Sequence, residues 1–193
     1  MGIITTYSEG IKQAKAILET LFESDDVIEF RCISETTRRI NSEWYTLEKV
    51  DFTYLTQANR LRYHVYFGVN PRTKEGGRTA EDVELCRSLC VDLDDHSPHE
   101  LIARTDAALL ARPHVCISSG GGSQAFWRLR EPITPGEWLK KQAGIIDAVK
   151  GADRTIKDLP RVMRLPGFVN WKDKYGPNNP LATIYQPENI CHE

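Results

Sequence analysis

A chain of 193 residues, 40% hydrophobic and 27% charged, can bury a sizeable core and has the balance of an ordinary soluble globular protein. Its net charge of −2 excludes a protein that coats nucleic acid indiscriminately, because that behaviour needs a broad basic surface. No run approaches membrane-spanning length and the N-terminus lacks signal architecture, so the expected location is the cytoplasm, with no membrane partner.

The elements follow in chain order. Thr6 with Glu9 reads as a capping box, and Ile11, Ala14, Ile17, Leu18, Leu21 and Phe22 then keep helical spacing, which predicts a first helix packed on a sheet. Residues 27–33 read as a strand, residues 34–50 are too polar to assign, and residues 54–60 read as a helix. Residues 61–69 alternate like a strand and run into Asn70-Pro71-Arg72 and a loop with Gly76-Gly77. Thr79 with Asp82 opens a short helix feeding a strand over 89–94. The bland reading of Asp95 is a cap for whatever follows Ser97-Pro98.

Residues 114–118 and 124–129 flank Gly120-Gly121-Gly122 and predict a hairpin whose Phe126 and Trp127 pack the sheet. Thr134-Pro135-Gly136-Glu137 is a helix start, and Trp138, Leu139, Gln142, Ile145, Ile146 and Val149 give that helix one mostly apolar face. Asp158 is expected to cap a short helix ended by Leu165-Pro166-Gly167. Interleaved helices and strands with a hairpin predict an α+β fold with a mixed or antiparallel sheet, in one domain over residues 1–193.

Charge is segregated along the chain. Residues 81–100 carry seven acids and one arginine, whereas 151–174 carry six basic residues and three acids. A cation-collecting patch beside an anion-collecting patch is one reading; two solvated faces is the other. The five cysteines (Cys32, Cys86, Cys90, Cys116, Cys191) are odd in number and lack Cys-x-x-Cys spacing, which suits buried thiols in a reduced compartment. A zinc site from Cys86 and Cys90 with His96 or His99 is poorly supported by the spacing. His64, His114 and His192 show no pairing that suggests hydrolase chemistry either.

Side chains alternate along a strand, so Asp92 and Asp94 share a face with attachment points roughly 6.5–7 Å apart. Carboxylates so placed can share one divalent ion or bridge two, although a strand leaving into an acidic turn gives the same pattern. Asp153, after Gly151, is placed to turn back toward a sheet edge as a third carboxylate, or is simply a turn residue. If 158–165 is helical, Arg161 and Arg164 share a face and offer forked donors for phosphate; a solvated face with an Asp158–Arg161 pair is the alternative. The Gly120–Gly122 turn with Ser119, Ser123 and Gln124 fits a triphosphate cradle or a plain hairpin turn, and Asn170 and Lys172 add donors. Carboxylates for metal beside arginines for a polyphosphate are what nucleotidyl transfer needs.

Taken in order, Leu-Cys-Val-Asp92-Leu-Asp94-Asp, then Ser119-Gly-Gly-Gly-Ser-Gln124-Ala-Phe-Trp127, then Asp153 with Arg161 and Arg164 ahead of Leu-Pro-Gly-Phe-Val-Asn170-Trp-Lys172, resembles the archaeo-eukaryotic primase superfamily. Within it the chain is most similar to the primase–polymerases of plasmid and phage replication proteins, the RepB-type group. Glu29-Phe30-Arg31 and Gly68-Val69-Asn70-Pro71-Arg72 resemble that group's N-terminal half, so the likeness spans roughly residues 10–175.

The resemblance implies an RRM-like catalytic core, with an N-terminal half of about 1–78 and a catalytic half of about 79–175. It implies template-directed joining of nucleotides on single-stranded DNA by a two-metal mechanism, with two Mg²⁺ or Mn²⁺ ions on Asp92, Asp94 and Asp153. Nucleoside triphosphates would be held by Ser119, Gly121, Gly122, Gln124, Arg161, Arg164, Asn170 and Lys172. A helicase or other replication module is the further partner it suggests, the chain itself being a stand-alone enzyme or a piece of a longer one.

One departure stands out. Many members carry histidine where this chain has Gln124, which can donate a hydrogen bond but carries no charge. That favours, as a second reading, a catalytically weak or inactive nucleic-acid-binding module of a replication protein. A metal-dependent nuclease using the same carboxylates is a third, in which the arginine pair has no obvious task.

Overall fold

The computed structural model describes residues 4–186. Its elements run α1 (Ile4–Leu21), β1 (Ile28–Ser34), β2 (Ile40–Tyr45), α2 (Phe52–Arg60), β3 (Tyr63–Gly68), β4 (Cys86–Asp94), α3 (Pro98–Ala107), β5 (Val115–Ser118), β6 (Gly122–Ile133), α4 (Pro135–Ala148), β7 (Val162–Arg164) and β8 (Thr183–Ile184). They build two four-stranded sheets, ordered β2-β1-β3-β7 and β4-β6-β5-β8, and every pairing is antiparallel. The α+β class stands, and of the two sheet types anticipated it is the antiparallel one that forms.

Both sheets face one core. The apolar stripe of α1 places Ala14, Ile17, Leu18 and Leu21 at essentially zero exposure, as its helical spacing requires. Phe67 on β3 meets Phe22 edge-on, with ring centroids 6.2 Å apart, and meets Phe126 on β6 at 5.7 Å. That three-ring contact stitches α1 and the two sheets together. The Pro166-Gly167 turn lies on the α1 backbone at Gly10, where a Cβ on either glycine would come within 2.4 Å of the other's carbonyl oxygen. Gly167 also holds φ +90°, which a side chain would strain.

Four segments differ from the sequence expectation. Residues 40–45 form a strand although their polar run gave no signal; β2 is a sheet edge, exposed at Ile40 and half-buried from Asn41 to Tyr45, and has no core face to advertise. Residues 98–107 form α3, capped by Ser97 in a capping box with Glu100, whereas Asp95 takes φ +56° and caps nothing. The expected helix after Asp158 is absent. Pro160 and Pro166 leave only five residues between them, the residue before each proline is biased to extended backbone, and Val162–Arg164 pairs with β3 instead. At the N-terminus, α1 starts at Ile4, so Thr6 lies inside the helix and is not its cap.

Candidate active site

The seam between the sheets is built from β4 outward. Among the described residues its outer edge has no neighbouring strand, and side chains of α4 take a strand's place there. Trp138 Nε1 donates to the Ser88 carbonyl at 2.8 Å. Gln142 accepts from the Cys90 amide at 3.1 Å and donates to the Cys90 carbonyl at 2.7 Å. The same Nε2 reaches the Ile156 carbonyl at 3.0 Å, tying the loop after α4 to the strand. One step along, the Asp153 amide donates to the Asp92 carbonyl at 2.9 Å. Asp153 therefore docks beside Asp92, sixty-one residues away in the chain. Gln142 is fully buried, so Gln142→Leu would strand three buried backbone groups. The expected cost is about 2–4 kcal/mol in denaturant unfolding, read against a wild type whose transition has the same slope.

Asp92 and Asp94 leave the same side of β4, as the alternation required. Asp92 lies opposite Gln124 of β6, and Gln124 Nε2 donates to Asp92 Oδ2 at 3.2 Å. Burial, reinforced by the charges of Asp94 and Asp153, pushes the Asp92 carboxyl up to about 6, against the opposing pull of Gln124 and Lys172. The Asp153 carboxylate accepts from the Thr155 amide at 2.8 Å and the Thr155 hydroxyl at 2.9 Å. Among the described residues no three acidic, histidine or cysteine groups stand together at metal-holding spacing. A shared ion would require Asp153 to swing off Thr155 toward Asp92. The donor chemistry nevertheless suits Mg²⁺ or Mn²⁺, since all three candidates are carboxylates and their crowding favours a cation.

A cleft of about 190 Å³ is lined by Asp92, Asp94, Asp153, Ser119, Gln124, Arg161, Arg164, Asn170 and Lys172, together with Tyr66. Nine of the eleven residues named from sequence thus share one cavity. The two arginines get there differently from the expected helical ridge. Arg161 sits at the turn before β7, held by Asp158 Oδ1 at 2.7 Å and the Thr155 carbonyl at 2.6 Å. Arg164 ends β7, only 4% exposed, and its guanidinium lies 4.9 Å from the Tyr66 ring centroid. Asn170 is buried and donates to the Ser119 carbonyl at 2.9 Å, so part of its capacity is spent on structure.

Gly121 and Gly122 do not line the cleft. A Cβ on Gly121 would fall on the Tyr175 hydroxyl, and one on Gly122 would press to 2.5 Å from the Leu93 carbonyl. The glycines are there because Tyr175 and the end of β4 pack onto the turn. Of the zinc candidates, the buried Cys86 and Cys90 thiols are pushed up to about 12 by burial, and His96 Nδ1 is engaged with the Asp94 carbonyl at 2.6 Å. Cys191 and His192 lie outside the described residues. Sequence reasoning missed Tyr66, which had a usable signal: alternation along residues 61–69 puts His64 and Tyr66 on one strand face, away from Val65 and Phe67.

Two antiparallel sheets over one core, with acids from one and an arginine from the other at the seam, make the fold of an archaeo-eukaryotic primase core of RepB type. The chain belongs to the RepB DNA-primase N-terminal domain family, which it matches over residues 33–189. An uncharacterized protein of Methanocaldococcus jannaschii, MJECL28, is 28% identical over 154 residues, covering 72% of this chain and 12% of that protein. The chain therefore spans about an eighth of the length of that relative. Among solved structures, the AEP domain of the cyanophage S-2L primase-polymerase superposes with a TM-score of 0.74 at 21% identity, over 91% of this chain and 89% of that one. Primase RepB′ gives 0.63 at 19% identity, over 94% and 56%. Its catalytic domain in complex with initiator DNA gives 0.60 at 19%, over 94% and 83%. At these identities the likeness speaks for the fold. Among the described residues no helix is long and apolar enough to cross a membrane.

Proposed function

We propose that this domain performs template-directed nucleotidyl transfer, making or extending primers on single-stranded DNA in plasmid- or phage-type replication. The observation that carries the reading is the convergence of Asp92, Asp94 and Asp153 with Arg161 and Arg164 on one cleft, from two segments of the chain, the acids of β4 and the stretch from Asp153 to Arg164. Asp92 and Asp94, joined by Asp153 once it leaves Thr155, would hold two Mg²⁺ or Mn²⁺ ions. When bound, such ions activate the attacking 3′-hydroxyl and neutralise charge on the departing pyrophosphate.

The chain's own groups do the positioning. Arg161, Arg164 and Lys172 offer charged donors to the triphosphate in the cleft they share with the acids, and Ser119 and Asn170 border the same space. Gln124 plays a different part from a phosphate-binding histidine. Its Nε2 is committed to Asp92, and its Oε1 is buried without a partner, an acceptor that phosphate oxygens cannot satisfy. It holds the Asp92 carboxylate in place and leaves the triphosphate to the cations. RepB′ has been captured with initiator DNA, which supports a DNA strand as the partner here. Nucleoside triphosphates are the second partner this reading requires, and a helicase or other replication module is a further one.

The test is synthesis on a single-stranded DNA template with Mn²⁺ or Mg²⁺ and all ribo- or deoxynucleoside triphosphates. The expected result is a metal-dependent product that Asp92→Ala abolishes. DNA binding without product at high protein concentration would overturn the enzymatic reading and leave the binding module that Gln124 favours. Cleavage of labelled strands in the absence of nucleotides would instead mark a nuclease.

A further inference from the structure

Arg164 is buried, yet among the described residues it pairs with no carboxylate. Its Nη2 donates to the Tyr66 hydroxyl at 3.0 Å and its Nη1 lies 3.2 Å from His64 Nδ1. His64 in turn places Nε2 2.8 Å from Glu35 Oε2. His64 and Glu35 are 3% and 8% exposed, and neither lines the acid-bearing cleft. An arginine can only donate, so His64 Nδ1 must carry its lone pair, and the ring proton sits on Nε2, donated to Glu35.

We propose that Glu35 and His64 are positioning residues that hold the Arg164 guanidinium toward the cleft for the triphosphate of a nucleotide. The proposal rests on the nucleotidyl-transfer reading above. Its logic is electrostatic. A carboxylate placed directly on Arg164 would fix it but would also neutralise it and compete with the incoming phosphates. A neutral imidazole fixes the same guanidinium and leaves its charge available. Glu35 sets the tautomer from one residue further back, where its own charge is shared with the Arg38 guanidinium at 3.1 Å and the Asp173 amide at 3.3 Å. Burial, with the nearby charges of Arg164 and Lys172, holds His64 below the usual imidazole range despite the opposing pull of Glu35, so the ring stays neutral at neutral pH. The hydroxyl of Tyr66 faces the pair from the same strand as His64, and the β3–β7 register sets Tyr66 against Arg164.

The test measures equilibrium binding of ATP and dATP with Mg²⁺, without template, to the full chain and its variants. His64→Phe keeps the ring shape and removes both hydrogen bonds; binding should weaken at least about tenfold, as for a charged hydrogen bond lost to misalignment. His64→Gln can donate to Glu35 and accept from Arg164, and should stay within about threefold of wild type. In an Arg164→Met background, His64→Phe should cause no further loss. If His64→Phe fails to fold, Glu35→Leu makes the same comparison by releasing the tautomer. Unchanged binding in His64→Phe, a His64→Gln as weak as His64→Phe, or losses that simply add would overturn the relay alone. A wild type that binds neither nucleotide overturns the functional reading, and the relay with it.

Discussion

Asp92→Asn is expected to abolish synthesis and, at the same time, to make the metal-free protein more stable. The Asp92 carboxyl titrates at about 6 in the fold, above its ordinary value near 4, because burial and two neighbouring carboxylates oppose its charge. Between those values the folded state holds a proton that the unfolded state has released. Stability therefore falls as pH rises from about 4 through 6, and the penalty is complete above about pH 7. Its size is on the order of 2–3 kcal/mol. Asparagine keeps an oxygen to accept from Gln124 and carries no charge. In EDTA, the melting temperature of Asp92→Asn should match wild type near pH 4 and exceed it by about 5–10 °C at pH 8. A variant that melts at or below wild type at pH 8 would show that the three acids do not crowd one another. With Mn²⁺ the order should narrow or reverse, because only the wild type gains from the cation.

The sequence carried most of the second sheet and little of what joins it to the first. Asp92, Asp94 and the β5–β6 hairpin were legible because strand alternation and glycine turns are local signals. Asp153 was recognisable by motif, yet its docking on the Asp92 carbonyl depends on Gln142, a polar residue on an otherwise apolar helix face. Nothing local distinguishes a glutamine that replaces a strand from one that faces water. The arginines were found with the wrong backbone. Their spacing of three fits a helix, and only the bracketing prolines hinted that the segment is extended. Glu35 and His64 were invisible as a pair because Glu35 lies in the turn just past β1, His64 lies on β3, and the two meet only through the β1–β3 register. Long-range polar contacts of this kind leave no periodicity to read.

The same holds for the motifs of the N-terminal half, which meet in a buried ion pair. Glu29 and Arg72 side chains are both fully buried, with Arg72 Nη2 2.8 Å from Glu29 Oε2. Glu29 Oε1 also accepts from Arg31 Nε at 2.9 Å and from the Ser42 hydroxyl at 3.3 Å. Gly68 explains itself here: a Cβ at that position would sit 2.8 Å from the Arg72 guanidinium. Burial lowers the Arg72 pKa while Glu29 pulls it back up, but an arginine does not give up its proton. Glu29→Gln would leave that charge buried and turn an amide donor toward it. The expected cost is about 3–5 kcal/mol, comparable to the whole stability of a marginal domain. Glu29→Leu with Arg72→Met removes both charges and should be more stable than either single variant, since an apolar pair of similar volume often replaces a buried ion pair without loss. Denaturant unfolding of the two singles and the double closes the cycle. Equal stability of Glu29→Gln and wild type would mean that the pair is not desolvated. The double variant has a second consequence. Arg72 also donates to the Pro160 carbonyl at 3.0 Å, and Asn70 to the Leu159 carbonyl at 3.1 Å, immediately before Arg161. With the guanidinium gone, the turn that carries Arg161 loses one of its ties to the segment after β3, keeping those from Asn70 and from the Val69 amide to the Arg161 carbonyl. A folded double variant should therefore bind nucleoside triphosphate more weakly than wild type while keeping the Asp92 titration unchanged.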